Sequence, residues 1–149
     1  MGKVATKKAL LDRGINLSDA LCANCGFEEE SADHLFAKCL TARSVWWNIF
    51  SWLKVPWPSN VDSLKDLLEV FYNSPGSKVW KRLAHMVAVD TVWRIWNARN
   101  RKVFEGDGIS VRKIVDSIKE ESFIWVSNRS NKTAPSWDDW KVFDVLSLL

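Results

Sequence analysis

CANCGFEEESADHLFAKC, residues 22–39, holds all three cysteines of the chain and one of its two histidines. The spacing is Cys22-x2-Cys25-x8-His34-x4-Cys39. Two thiolates separated by two residues can clamp one ion from a tight turn, and Gly26 lets the backbone turn back behind them. Residues 28–33 then cross to a second pair of ligands. Ser31 is placed to cap a helical turn carrying His34, with Leu35 and Phe36 packing inward. Because His34 and Cys39 are five apart, they do not share a face of an α-helix. The helix is therefore expected to end before Cys39, so that the sulfur swings back to the metal. Three sulfurs and one imidazole suit tetrahedral zinc, and a closed set of four leaves no position for water. One structural Zn²⁺ on Cys22, Cys25, His34 and Cys39 is the expectation. A disulfide would leave an odd thiol in a chain that opens with no hydrophobic signal segment.

Working outward, the chain reads as helices parted by turn residues. Lys3 to Arg13 predicts a short helix with Leu10 and Leu11 inward and Gly14 as its left-handed stop. Thr41 is a candidate cap for a helix running to about Leu53, broken by Pro56 and Pro58. Asp62 or Ser63 opens a helix that ends near Asn73-Ser74-Pro75-Gly76. Ser77 opens the longest pattern, through Phe104 to Gly106-Asp107-Gly108, and Ser110 another through Trp125. Residues 127–136, SNRSNKTAPS, read as a polar linker, and Trp137 to Leu149 as a short amphipathic helix or a loosely docked tail. No run alternates as a half-buried strand would. The expected fold is all-α, with short helices around a zinc knuckle of three cysteines and one histidine, followed by a small helical bundle. Its divisions fall at 1–54 (knuckle), 62–126 (helical region with the basic long helix) and 127–149 (linker and tail).

Composition is that of a globular chain, 47% hydrophobic and 26% charged over 149 residues. A chain of this size buries about 70% of its unfolded surface, so a true core is possible. Ten tryptophans are the outlier; each brings a large apolar area and one donor in need of a partner. Net charge is only +3, but Ser77 to Lys102 carries seven Lys and Arg against Asp90 alone. Such a stripe meets phosphate, an anionic membrane or an acidic protein, or is simply a solvated helix face. No apolar run approaches the roughly 20 residues of a membrane span, so no membrane partner is expected. Met1-Gly2 followed by Thr6 fits a loose acylation pattern.

Taken together, these residues resemble the zinc-binding domain of reverse transcriptases, the module near the C-terminal end of plant non-LTR (LINE-type) retrotransposon polyproteins. The resemblance rests on Thr6-x3-Leu10-x2-Arg13-Gly14-Ile15, on Cys22-Ala23-Asn24-Cys25-Gly26, on Glu28-Glu29-Glu30 and on His34-Leu35-Phe36-Ala37-Lys38-Cys39. Val45-Trp46 and the distant run Trp93 to Phe104 complete it. The family often has proline after the first cysteine, where Ala23 stands here; that relaxes the turn and removes no ligand. The resemblance implies a protein that works with RNA, DNA or other parts of a reverse transcriptase (an RNA-directed DNA polymerase); with no hydrophobic signal segment opening the chain, an intracellular setting, nucleus or cytoplasm, is the expectation. The polymerase itself would lie upstream of Met1, so the chain is expected to be a fragment or truncated product.

No residue is expected to be catalytic. Asp138-Asp139 superficially echoes a polymerase's metal-binding aspartates, but no strand hairpin flanks it. His85 lies mid-helix with no cysteine or carboxylate placed to use it. Arg94, Arg99, Arg101 and Lys102, interleaved with Trp93 and Trp96, are the candidate nucleic-acid contacts, since guanidinium forks suit phosphate and rings stack on bases. The two tryptophans, three apart on one helix face, are themselves expected to be core. The alternative is a zinc-stapled protein-interaction domain, or a decayed retroelement fragment, with no nucleic-acid role.

Overall fold

Short hydroxyl side chains open the helices. Thr6 Oγ1 accepts from Ala9 N at 3.3 Å and starts α1 (Lys7–Asp12), which Gly14, at φ +82°, closes. The computed structural model describes residues 4–129 and 134–144, and α1 is shorter than the pattern suggests. Leu11 faces solvent and Leu10 is half-buried. A π-helical turn (His34–Lys38) leads into α2 (Leu40–Trp52). Thr41 is not the cap of α2; it lies in its first turn, and Cys39 stands at the cap position.

Ser63 begins α3 (Leu64–Asn73) with a reciprocal box: its Oγ accepts from Asp66 N at 3.2 Å while Asp66 Oδ2 accepts from Ser63 N at 2.9 Å. Satisfying two orphan amides in this way stabilises a first turn by about 1 kcal/mol. Ser77 caps α4 (Lys78–Glu105), 28 residues long and ended by Gly106 at φ +68°. α5 (Val111–Arg129) runs three residues into the expected linker, because Ser127 and Val126 still rest partly buried against the bundle. Ser136 caps α6 (Trp137–Lys141).

The fold is all-α, as the pattern predicts; the one β-feature among the described residues is a lone antiparallel bridge between Leu21 and Glu29. The buried apolar residues form one core that runs from Cys22 to Phe143. Trp46 and Phe50 of α2 meet Phe71 of α3 at ring separations of 6.0 and 4.7 Å. At the other end Trp52 packs on Trp140 at 5.6 Å and on Phe143 at 5.3 Å. Among the described residues, three of the four buried indoles find carbonyls, Trp46 Nε1 donating to Phe36 O, Trp52 Nε1 to Trp140 O and Trp140 Nε1 to Lys119 O, whereas buried Trp80 Nε1 has no partner. Of the two readings of the tail, a short helix or a loosely docked segment, its start takes the first, as α6. Trp140 is 1% exposed and tied at both its backbone and its ring. No helix among the described residues is long and apolar enough to cross a membrane. The Met1-Gly2 acylation pattern, linker residues 130–133 and the chain beyond 144 lie outside the described residues.

Candidate metal centre

The backbone brings the four sequence-assigned ligands together in two steps. Gly26, at φ +72°, donates its amide to Cys22 O at 2.8 Å, and Cys22 N donates to Glu28 O at 2.7 Å. These bonds close the Cys22–Cys25 turn above the Leu21–Glu29 bridge. Ser31 Oγ then accepts from His34 N at 3.1 Å, as its position predicts. From His34 the chain widens into the π-helical turn, sealed by Cys39 N donating to His34 O at 2.6 Å.

The π turn answers the five-residue spacing. An i→i+5 turn carries residues five apart round to one side, as an α-helix does for i and i+4. At Cys39 the backbone leaves the helical region (φ −58°, ψ 140°), and α2 restarts at Leu40. So the helix does end before Cys39, with a wider turn than expected.

The donor atoms of Cys22, Cys25, His34 and Cys39 all lie within 4.8 Å of one another. Cys22 Sγ and Cys39 Sγ are 3.8 Å apart, and Cys25 Sγ and His34 Nε2 3.3 Å. A zinc tetrahedron with bonds of about 2.3 Å to sulfur and about 2.05 Å to nitrogen has edges of about 3.8 and about 3.5 Å. The residues fit a tetrahedral ion. None of the three cysteines is in a disulfide.

The electrostatics of the donors point the same way. Cys39 accepts from the Cys22 thiol, and the amides of Thr41 and Ala42 at the start of α2 add to this against the opposing effect of burial. Its pKa falls well below the usual thiol value. Cys22, as the partner that keeps the proton, is pushed up by that same bond and by burial. A cation that replaces the shared proton satisfies both sulfurs. With Nε2 facing Cys25, the other imidazole nitrogen of His34 lies 3.4 Å from Glu28 Oε2, within ion-pair reach though too long for a good hydrogen bond. Such an outer carboxylate orients a metal-bound imidazole.

Sequence reasoning missed one residue beside this centre, Glu30, and did not foresee that Arg99 and Lys102 of α4 reach it. Glu30, within the acidic Glu28-Glu29-Glu30 run, is fully buried. Its partner is Arg99, 4% exposed, whose Nη2 donates to Glu30 Oε1 at 2.6 Å and whose Nε donates at 3.1 Å to the same oxygen. The Arg99 fork, expected to face phosphate, is thus already occupied by a carboxylate and sealed from solvent. Lys102 reaches the knuckle too, donating to Asn24 O at 3.2 Å. Arg101 pairs with Asp107 at 2.7 Å and Glu105 at 3.4 Å. Arg94 pairs with Asp90 at 3.4 Å and with Glu121.

The tryptophans of the same run divide. Trp96 packs on Phe36 at 6.2 Å and beneath the Arg99 guanidinium at 5.0 Å, whereas Trp93 is 58% exposed and is not core. A three-residue step on a helix turns the ring far enough to leave the buried stripe when that stripe is narrow. His85 is exposed and shares a hydrogen bond of 2.9 Å with Tyr72. Asp138 and Asp139 sit in the exposed first turn of α6, the latter bonded to its cap Ser136.

Three cysteines and one histidine with their donor atoms gathered in one place form a group that could hold a metal ion. Residues 1–46 match the family model described as zinc-binding in reverse transcriptase. No curated protein and no solved structure gives a significant match. The segment that carries the cluster is thus similar to a zinc-binding module of reverse transcriptases, and its four donors are placed where they could hold a metal ion.

Proposed function

We propose that this chain is a non-catalytic, zinc-stabilised accessory module of a retroelement reverse transcriptase, of the plant LINE type, holding one structural Zn²⁺. The observation that supports the reading is the gathering of four donors within 4.8 Å of one another, with the Cys22–Cys39 and Cys25–His34 separations at 3.8 and 3.3 Å. Cys22, Cys25, His34 and Cys39 would hold the ion, which supplies a cross-link between the Cys22–Cys25 turn and the π turn. Four protein ligands complete the coordination sphere and leave no position for a reacting water. The downstream run Trp93 to Phe104, with its resemblance to plant element sequences, supports the retroelement assignment.

Contact with RNA or DNA, on this reading, runs over the solvent face of α4. Three thiolates on one Zn²⁺ leave the knuckle net negative, and Glu28 and Glu29 add to it, so phosphate would approach elsewhere. Lys78, Lys81 and Arg82 are exposed and carry no carboxylate partner among the described residues. Lys81 and Arg82 border an open groove of about 770 Å³ that Trp93, Trp125, Met86 and Arg129 also line. Rings beside unpaired cations suit single strands, through stacking and phosphate pairing. Arg94 and Arg101 add only what their carboxylates leave.

Metal analysis of the purified chain tests the first part: about one zinc per chain, and a lower melting midpoint after chelation. Titration with single-stranded RNA and DNA across salt tests the second. Lys81→Gln with Arg82→Gln is expected to reduce the salt slope by about two and to weaken binding at low salt. Affinity that ignores both salt and that double change would move the groove to the alternative, a surface for an apolar protein partner.

A further inference from the structure

We infer that Glu30 is the positioning residue of the metal-binding turn and that Arg99 is its internal counter-charge, so that α4 forms part of what holds the ion. The inference rests on the zinc reading above.

Glu30 is 0% exposed, a burial that an isolated carboxylate does not tolerate. Its acceptors are all directed at structure that frames the metal cluster. Oε2 accepts from Ala23 N at 3.0 Å, and Ala23 directly follows the ligand Cys22. Oε1 accepts from Lys7 N at 3.0 Å, the first amide of α1. The bond to Ala23 sets the peptide plane that leaves the first ligand, and hence where the Cys22 sulfur points. The backbone of Glu30 is tied as well, donating to Ala20 O at 2.8 Å and accepting from Lys8 N at 3.2 Å. The side chain thus holds α1, the metal-binding turn and α4 at one point.

Arg99 reaches this point from 69 residues downstream, with three contacts to the carboxylate between 2.6 and 3.3 Å. The need for it is electrostatic. Three thiolates and one Zn²⁺ carry a net negative charge, and a buried carboxylate beside them adds another. Without a cation the turn could be held by Glu30 only at a large repulsive and desolvation cost. Two more α4 side chains join Arg99: Lys102 donates to Asn24 O inside the Cys22–Cys25 turn, and Trp96 packs on Phe36 between His34 and Cys39. A buried ion pair by itself is weak evidence of stability. Here the geometry, a carboxylate shared between a ligand-flanking amide and a remote guanidinium, is that of an outer-shell support, whose loss lowers metal affinity by about 10- to 100-fold.

The test is competition of the intact chain against a chromophoric zinc chelator, with Glu30→Gln, Arg99→Met, Arg99→Lys and the double change Glu30→Gln/Arg99→Met. Ile118→Val, a core change in α5 away from the knuckle, sets the baseline for lost stability alone. The expected result is a zinc affinity about 10- to 100-fold weaker for Glu30→Gln and Arg99→Met, with less than twofold change for Ile118→Val. Arg99→Lys, keeping the charge without the fork, is expected to lose less than Arg99→Met. The double change is expected to be no worse than the poorer single one, because the two side chains act as one device. Wild-type affinity in Glu30→Gln or Arg99→Met, or an equal loss in Ile118→Val, would overturn the inference. Failure of the wild-type chain to take up zinc would instead sink the metal reading on which it rests.

Discussion

The two ends of the α4 helix are held by opposite kinds of bonding. Its N-terminal half lies in an aromatic pack, where Trp80 meets Phe143 and Phe143 in turn meets Trp52 and Trp140. Its C-terminal half is fastened by directional polar contacts, Arg99 to Glu30 and Lys102 to Asn24, on the segment that gathers the four candidate metal donors. Ring packing is cumulative and tolerates loss of one partner by degrees. Coordination and buried ion pairing fail outright when one partner goes. One helix therefore answers to two different chemistries, and the changes that break each end should not look alike.

The largest effect expected is from the metal. Cys25→Ser, or chelation, removes a contribution on the order of 10 kcal/mol, most of which orders residues 22–39. Amide protection there should vanish while near-ultraviolet signals from the aromatic pack persist. Next comes Trp140→Ala, which empties a side chain 1% exposed and should cost about 3–5 kcal/mol in a denaturant melt, with zinc still bound. Arg99→Ala strands the Glu30 carboxylate and should cost about 3–5 kcal/mol. Arg101→Ala, two residues on and half-exposed, should stay within about 0.5 kcal/mol. Equal costs for the two arginines would dissolve the distinction between the buried brace and a solvated cation.

A smaller effect comes from Asp90, near the middle of α4. Burial pushes its carboxyl up, the charge of Glu121 adds to this and Arg94 only partly offsets it, leaving a pKa of about 6. Between its ordinary value and about 6 the folded chain binds the proton more tightly than the unfolded chain. The stability this group contributes therefore falls as pH rises through that window and stays low above it. Asp90→Asn is expected to stabilise the protein at pH 7.5 by about 1–2 kcal/mol, an advantage that shrinks towards pH 5 in parallel melts. The smallest effect lies at Lys54, which closes α2 with φ +58°. Lys54→Gly should relieve that strain and add up to about 1 kcal/mol.

What was legible in the sequence follows the same division. Coordination demands particular residues at particular spacings, so Cys22, Cys25, His34 and Cys39 announced themselves, and Gly26 and Ser31 announced the turns that bring them together. The helix start at Ser77 and the stop at Gly106 were equally plain, because caps are local chemistry, although the sequence left Asp62 and Ser63 open for α3 and offered Thr41 where Cys39 stands. The role of Arg99 was not legible. A guanidinium bound for phosphate and one bound for a buried carboxylate look the same in a run of Trp, Asn and Arg; the difference lies in Glu30, 69 residues away. Nor did anything local distinguish Glu30 from Glu28 and Glu29 beside it. Of Trp93 and Trp96, both expected to be core, only Trp96 packs against it, because helical periodicity gives a face but not its width. The docking of Trp140 depended on Trp52 and Lys119, partners that only the assembled bundle supplies.

The most direct test of this account is amide hydrogen exchange along the intact chain, with and without a zinc chelator. Two stretches should lose protection together on chelation, residues 22–39 and the 95–102 portion of α4, while residues 111–125 of α5 keep theirs. Protection unchanged by chelation would contradict the metal staple, and uniform loss along the whole chain would contradict a helix held at its two ends by separate means.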